Sequence, residues 1–189
     1  MLETLLIAIL VSCKKGYSLQ TLWTEKTFYP LFICEGFYWV MQLFLFNGNY
    51  TLLPYSALFK GIYLSSTFFI VYRFELYKYA FIGSACVILG GWCNDLAIWA
   101  NRGKMPVFPT LSSWTDYASP EMFGVADQLH ILGDHTTKLK FLTDFIDLGY
   151  SILSIGDVLI RVLPFIIIYQ GLKSATSCKS LNCNLKETN

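Results

Sequence analysis

The apolar residues of this chain are gathered into long blocks, not spread at the spacing of an amphipathic helix. A hydrocarbon core about 30 Å thick is crossed by roughly 20 apolar helical residues. Four blocks approach that length, at about residues 28–46, 55–72, 79–100 and 149–170. A fifth, residues 2–12, is short: it spans only with Cys13 and local thinning of the bilayer, or it inserts as a tilted hairpin partner of the second helix. The pattern predicts an all-α integral membrane protein with about five transmembrane helices.

Composition supports a membrane location and removes several other classes of function. Of the 189 residues, 54% are hydrophobic and only 14% are charged, whereas a soluble domain averages about a quarter charged. This composition makes the lipid bilayer the expected partner. The net charge is +1 and no basic run exceeds Lys14-Lys15, so no nucleic acid is expected as a partner. The six cysteines form no CxxC pair. Nucleotide-binding loops and a GxSxG elbow are also absent from the sequence, so no cofactor is expected.

The segment 101–147 is too long for a hairpin and too apolar for a plain linker. Glycine and proline near its start stop the preceding helix. Two amphipathic stretches follow, at 121–132 and 139–148, which predict an extracytoplasmic cap lying on the membrane surface. We expect one transmembrane domain over 1–172 that includes this cap, followed by a disordered cytoplasmic tail at 173–189.

Basic residues predict the orientation, because lysine and arginine accumulate in short cytoplasmic loops. With the amino terminus outside and the carboxy terminus in the cytoplasm, the inner segments hold eight basic residues and the outer segments hold four. We therefore expect a multi-pass protein of the cell membrane in this orientation. A cleaved signal peptide is not expected, because Glu3 precedes the apolar run and Lys14 and Lys15 follow it.

Charged residues inside predicted spans are the strongest functional leads, because each costs about 3 kcal/mol at mid-membrane and usually has a partner. Four such residues stand out: Lys60, Asp95, Asp157 and Arg161. Lys60 lies near a helix end and is expected to extend its amine to the interface, with no catalytic role. Asp157 and Arg161 are four positions apart on one helix face, so they are predicted to pair.

A second interpretation places Asp157 and Asp95 at one polar cavity, where two carboxyls share a proton and activate water. The charge of Arg161 argues against this interpretation. A nearby cation lowers the pKa of Asp157, whereas a shared proton requires one of the two carboxyls to stay neutral. Asn94-Asp95 follow Gly90-Gly91, a pair of small residues that lets another helix approach closely. The simpler interpretation of Asn94-Asp95 is packing with an interhelical hydrogen bond.

The predicted cap contains both histidines, and each lies near an aspartate. Asp127 precedes His130 by three positions, and Asp134 is next to His135. These residue types can bind zinc, but no HExxH or comparable spacing is present. No metal site is expected.

Several motifs resemble a family of small, uncharacterised bacterial integral membrane proteins known only as a domain of unknown function. These motifs are Asn101-Arg102-Gly103-Lys104-Met105-Pro106-Val107, Leu132-Gly133-Asp134 and Ser154-Ile155-Gly156-Asp157. The resemblance covers most of the chain. It implies about five helices and no particular activity.

A fainter similarity is to lipoprotein signal peptidase, an intramembrane aspartic enzyme. Gly90-Gly91 with Asn94, followed by Gly156-Asp157, occur in the order of that enzyme's motifs. Ala97 stands where the enzyme has its first catalytic aspartate, and Ser154 stands where it has an asparagine. The similarity implies that Asp157 would act with Asp95 or Asp134.

The first hypothesis is a non-enzymatic membrane component, either a subunit of a larger membrane assembly or a binder of a small apolar or lipidic ligand. Its predicted polar site comprises Asn94, Asp95, Asn101, Asp134, Ser154, Asp157 and Arg161. The alternative is an intramembrane aspartic hydrolase with Asp157, Asp95 and Asp134 as candidate catalytic residues. A third hypothesis, a component for transport of a small solute or ion, is weakened because no inverted repeat is visible.

Overall fold

A computed structural model describes residues 1–115, 117 and 129–187, with side chains described as far as residue 177. The protein is mostly helical, at 67% helix. The helices are α1 (Leu2–Lys14), α2 (Gln20–Thr24), α3 (Tyr29–Phe46), α4 (Ser56–Ser66), α5 (Phe68–Phe74), α6 (Tyr77–Ala100) and α7 (Ile155–Glu187). Short 3-10 turns at Lys26–Phe28 and Leu53–Tyr55 lead into α3 and α4.

Three helices in the described part of the chain are long and apolar enough to cross a membrane. They are Lys26–Phe46, Tyr77–Ala100 and Ile155–Ser177, with 21, 24 and 23 residues. They correspond to three of the predicted blocks. The last begins at Ile155 and not at 149, because residues 149–154 belong to the cap. The prediction of a mostly helical protein with apolar helices of membrane length is therefore confirmed, and these helices suggest a membrane association.

The predicted block at 55–72 is not one helix. It is divided at Thr67 into α4 and α5, of 11 and 7 residues. The hydroxyls of Ser66 and Thr67 donate to the carbonyls of Tyr63 and Leu64, each at 2.6 Å. Such bonds compete with the helical backbone ladder and bend helices. Helix α1 has 13 residues and matches the short block predicted at 2–12. Neither α1 nor the divided block is among the three helices of membrane length, so five spans are not confirmed.

Helix α7 is the centre of the packing and contacts α1, α5 and α6. Ile167, Ile168 and Leu172 on α7 are fully buried. Glycines allow α6 to approach α7 closely: a Cβ at Gly83 would lie 2.8 Å from the Cα of Leu163, and one at Gly90 would collide with the carbonyl oxygen of Gly156. The two helices thus meet along a face of small residues, as the Gly90-Gly91 step predicted.

The cap contains short strands, so the all-α prediction was incomplete. Strand β1 (Met105–Val107) pairs in parallel with β2 (His130–Leu132), and β3 (Ile146–Asp147) pairs antiparallel with β4 (Ile152–Leu153). The predicted amphipathic stretch at 139–148 contains a 3-10 turn and β3 in place of a surface helix. The earlier stretch lies mostly outside the described residues.

Tertiary pairing explains why residues 139–148 do not form a helix. Asp144 accepts a hydrogen bond from the Phe108 N–H at 2.8 Å, and its own N–H donates to the Pro106 carbonyl at 3.1 Å. Residues 105–107 are all buried. β1 therefore lies between β2 and Asp144, which brings distant parts of the cap together.

Candidate functional site

Asp157 on the first turn of α7 pairs with Lys60 of α4. The Lys60 Nζ lies 2.5 Å from the Asp157 Oδ1, and the two side chains are 29% and 17% exposed. The predicted Asp157–Arg161 pair was wrong, because Asp157 and Arg161 each form an ion pair with a different helix. The prediction considered only charges on one helix face, whereas α4 brings Lys60 to Asp157 from a distant part of the chain.

Ser154 caps the start of α7 and connects it to α6. Its Oγ accepts the Asp157 N–H at 2.9 Å, and the Asp157 Oδ2 lies 3.4 Å from the Ser154 nitrogen. This reciprocal arrangement is a capping box. The Ser154 hydroxyl also donates to the Asn94 Oδ1 at 2.8 Å. Asn94 therefore forms the expected interhelical hydrogen bond, and the Asp157 carboxylate both caps a helix and pairs with a cation.

Arg161, one turn further along α7, pairs with α1. Its Nη1 lies 2.5 Å from the Glu3 Oε2, and the two side chains are 14% and 18% exposed. The amino group of Met1 lies 3.4 Å from the same Glu3 oxygen. This contact connects the polar centre of the protein to the short helix α1.

Asp144 supplies a second carboxyl to the region around Asp157. It is 5% exposed, its Oδ1 has no hydrogen-bond partner in the described structure, and its Oδ2 lies 3.4 Å from the His130 Nε2. Burial raises the pKa of Asp144, the Asp157 charge raises it further, and the hydrogen bond from His130 opposes both. Asp144 is thus a buried carboxyl whose protonated form is favoured relative to an exposed aspartate.

A charged cavity of about 270 Å³ brings these groups together. Its wall includes side chains from α4, α6, α7 and the cap: Lys60, Asn94, His130, Asp144, Asp157 and Arg161. The charged cavity is therefore located where the cap meets the first turns of α7.

An apolar cavity of about 400 Å³ adjoins the charged cavity. Met1, Tyr38, Ser56 and Ser151 line both cavities. Most of the remaining wall is formed by α3, including Trp39, Met41 and Leu45, together with Tyr117 and Tyr150. The apolar cavity and the charged cavity are therefore neighbours that share part of their wall.

Glu35 is the buried acidic residue of the apolar cavity. It is 5% exposed, and its Oε2 has no hydrogen-bond partner among the described residues. Its position is inside the membrane-length helix Lys26–Phe46. A charge inside a span is a functional lead in its own right.

The remaining predicted residues lie elsewhere. Asp95 is exposed on α6 and does not line the charged cavity. Asn101 fastens the end of α6 to the cap, because its Oδ1 accepts the Lys138 N–H at 2.9 Å and its Nδ2 donates to the Lys138 carbonyl at 2.9 Å. Asp134 is exposed and accepts a hydrogen bond from the Thr136 N–H at 2.8 Å. Bonds from Thr136 hold the pKa of Asp134 below its usual range.

Sequence reasoning missed two residues of the site, Glu35 and Asp144. Glu35 is a charge inside an apolar block, so the rule that identified Asp157 applied to it as well. Lys60 was identified by that rule but was expected to extend to the interface, whereas it pairs with Asp157. Asp144 had no such signal, because the pairing of β1 with the segment around Asp144 connects residues 37 positions apart. That contact depends on the folded cap and not on local spacing.

The model of a family described as "Family of unknown function (DUF5317)" matches residues 19–169. The chain belongs to this family. The DUF5317 match includes Glu35, Lys60, Asp144, Asp157 and Arg161, so both cavities are formed almost entirely by the matched region. No curated protein and no solved structure matches this DUF5317 chain.

Proposed function

We propose that this protein binds a small apolar or lipidic ligand inside the membrane, in the apolar cavity, with the polar end of the ligand directed to the charged cavity. The observation that supports this proposal is that the two cavities are neighbours and share Tyr38, Ser56 and Ser151 in their walls. A volume of about 400 Å³ is within the range of pockets that take small molecules. Binding pockets typically have mostly apolar walls and a few placed polar groups.

The ion pairs support binding more than chemistry. Asp157 and Arg161 are both neutralised by partners, Lys60 and Glu3, on other helices. Truncating one member of such a pair leaves an uncompensated charge, so the four groups hold α1, α4 and α7 in position. The cavity walls are thereby fixed before a ligand arrives, which lowers the entropic cost of binding.

The proposal includes a topology of five spans with the amino terminus outside. Helices α4 and α5 together extend from Ser56 to Phe74 and would cross as a bent pair. α1 would insert as a short, tilted helix against α7, with which it packs. The cap then lies on the outer face, and the basic side chains of Arg73 and Lys173 lie on the inner face.

Photocrosslinking with a dodecanol that carries a diazirine tests the binding site in lipid nanodiscs. We expect saturable labelling of cavity residues such as Tyr38 and Gln42, competed by excess dodecanol. Leu45→Trp should abolish it, because Leu45 is buried and lines the cavity. The matched control is Leu43→Trp, on the same helix but 56% exposed and outside the cavity wall. Labelling that does not saturate, or that Leu45→Trp leaves unchanged, would exclude the site.

A second candidate function is intramembrane hydrolysis, favoured by one observation: Asp144 and Asp157 line the same charged cavity. In such a reaction one carboxylate removes a proton from water and the other carboxyl donates a proton at the scissile carbonyl group. In this candidate mechanism Asp144 is the second catalytic carboxyl, a role for which the sequence suggested Asp95 or Asp134. Hydrolysis of dodecanoyl 7-amido-4-methylcoumarin, measured by fluorescence, should then be abolished by both Asp144→Asn and Asp157→Asn and retained in Asp95→Asn. No turnover by the unmodified protein would reject this candidate for acyl amides.

A further inference from the structure

Glu35 forms no direct ion pair in the described part of the protein. Lys60 and Arg161, which line the charged cavity, pair with Asp157 and Glu3, and the Met1 amino group also lies against Glu3. The charges of Arg161 and the Met1 amino group act on Glu35 only from beyond ion-pair distance, and the Glu35 Oε2 has no hydrogen-bond partner among the described residues. A buried carboxyl with an unsatisfied oxygen costs free energy unless a partner arrives.

The location of Glu35 makes that cost larger. It lies near the middle of the helix Lys26–Phe46, nine positions from one end and eleven from the other. Helix ends near the headgroups let long side chains reach water, whereas the centre of a span does not. Glu35 also lines the apolar cavity, so a group bound there is in reach of its carboxyl.

The walls of the apolar cavity favour one ligand charge over the other. Glu3 and Glu35 line this cavity, but Glu3 is already paired with Arg161 and the Met1 amino group. Glu35 is therefore the carboxylate that remains for a cationic ligand, and an anionic group bound beside it would meet a like charge. Tyr38 and Trp39 line the same wall, and aromatic faces attract cations. An ammonium group has N–H donors that a carboxylate oxygen accepts in a short, charge-assisted hydrogen bond.

We propose that the ligand of the apolar cavity is a lipophilic primary amine, whose ammonium group binds Glu35 and whose apolar chain fills the space beside Met41 and Leu45. This inference rests on the proposed function and names its ligand class. Ionised Glu35 would prefer a ligand with an ammonium group, whereas protonated Glu35 would prefer a ligand with a neutral hydrogen-bond acceptor. The two protonation states therefore predict opposite preferences among ligands that differ only in the head group.

Competition against the dodecanol photoprobe tests the inference. Dodecylamine and dodecanol share a chain length and differ only in the head group. We expect dodecylamine to compete roughly tenfold more strongly, which corresponds to one hydrogen bond to a charged group. In Glu35→Gln the two competitors should become equal. Glu75→Gln, which changes an exposed glutamate outside the cavity, should keep the preference.

Partition of the amine into the bilayer is the same for every variant, so the ratio between variants isolates the contribution of Glu35. Dodecyltrimethylammonium, which carries the charge without N–H donors, should compete less strongly than dodecylamine. Glutamine has nearly the shape of glutamate and removes a buried charge, so Glu35→Gln should unfold no more easily than the unmodified protein.

The outcomes separate the two proposals. If dodecanol competes but dodecylamine has no advantage, or keeps its advantage in Glu35→Gln, the cavity binds apolar ligands and the amine assignment is wrong. If neither competes and photolabelling is unsaturable, the proposed binding function itself fails. A preference for dodecanoate would overturn the charge assignment.

Discussion

The Lys60 Nζ lies 2.5 Å from the Asp157 Oδ1 and connects α4 to the first turn of α7 across 97 positions of the chain. The same aspartate completes the capping box with Ser154. One side chain thus fixes both the start of α7 and the position of α4. Since both residues line the charged cavity, the geometry of that cavity depends on this pair.

Replacing one member of the Lys60–Asp157 pair should destabilise the protein more than replacing both members. Asp157→Asn or Lys60→Met leaves an unmatched charge, and each should cost about 3 kcal/mol in the free energy of unfolding. The double variant has no unmatched charge, so its loss should be smaller than the sum of the single losses. Unfolding in mixed detergent micelles measures all four proteins. Additive losses would show that the two groups are not energetically coupled.

Two adjacent glycines on α6 should respond in opposite directions to the same change. A Cβ at Gly90 would collide with the Gly156 carbonyl, whereas nothing lies within 4 Å of a Cβ at Gly91. Gly90→Ala should therefore cost about 1–3 kcal/mol through overpacking. Gly91→Ala should be neutral or stabilise by up to about 1 kcal/mol, since alanine favours the helix. Equal effects would contradict the close contact between α6 and α7.

The sequence predicted what depends on local composition and spacing. Long apolar blocks predicted the three membrane-length helices, and Gly90 with Asn94 predicted the contact face of α6. Partners brought together by the fold could not be predicted. Asp157 selects Lys60 and not its helical neighbour, and Asp144 reaches the site through backbone pairing with β1.

The division between α4 and α5 at Thr67 was missed for a similar reason. Ser66 and Thr67 occur in an apolar block, so hydropathy predicted one continuous span. Their hydroxyls donate to carbonyls three positions earlier and divide the helix. A hydropathy window averages over such residues and carries no information about the hydrogen bonds that their hydroxyls form with the backbone.

Cysteine labelling tests the proposed orientation at two exposed positions, Lys138 in the cap and Lys173 on α7. In a cysteine-free background, Lys138→Cys should react with a membrane-impermeant maleimide on intact cells. Lys173→Cys should react only after permeabilisation, because in the proposed topology α7, which is long and apolar enough to span, crosses the bilayer between the two positions. The reverse pattern would invert the topology. Labelling of both from outside would mean that α7 does not span.

Asp144 and Asp147 should give opposite pH dependence, because their pKa values move in opposite directions. Burial raises the pKa of Asp144 above its ordinary 3.8. For Asp147 burial also acts to raise the pKa, but hydrogen bonds from Ser112, Gly149 and Thr110 outweigh burial and hold it below 3.8. The folded state therefore binds the Asp144 proton more tightly than the unfolded state does, and the Asp147 proton less tightly.

The sign of each effect follows from that difference. As pH rises above 3.8, the unfolded chain ionises Asp144 first, so the free energy of unfolding falls until the folded pKa is passed. Asp144→Asn removes this fall, and the variant should gain stability relative to the unmodified protein as pH rises through that window. Asp147 stabilises the protein above its ordinary pKa and loses this effect as pH falls towards its lower folded value. Asp147→Asn should therefore lose stability relative to the unmodified protein as pH rises.

Unfolding measured between about pH 3 and pH 8 checks both signs in one series. His130 is an ionisable group whose Nε2 lies 3.4 Å from the Asp144 Oδ2. Both variants and their reference should therefore carry His130→Gln, so that the histidine does not contribute to the slopes. Parallel curves for Asp144→Asn and its reference would show that burial does not perturb this carboxyl. A gain for Asp147→Asn at higher pH would contradict the stabilising bonds to its carboxylate.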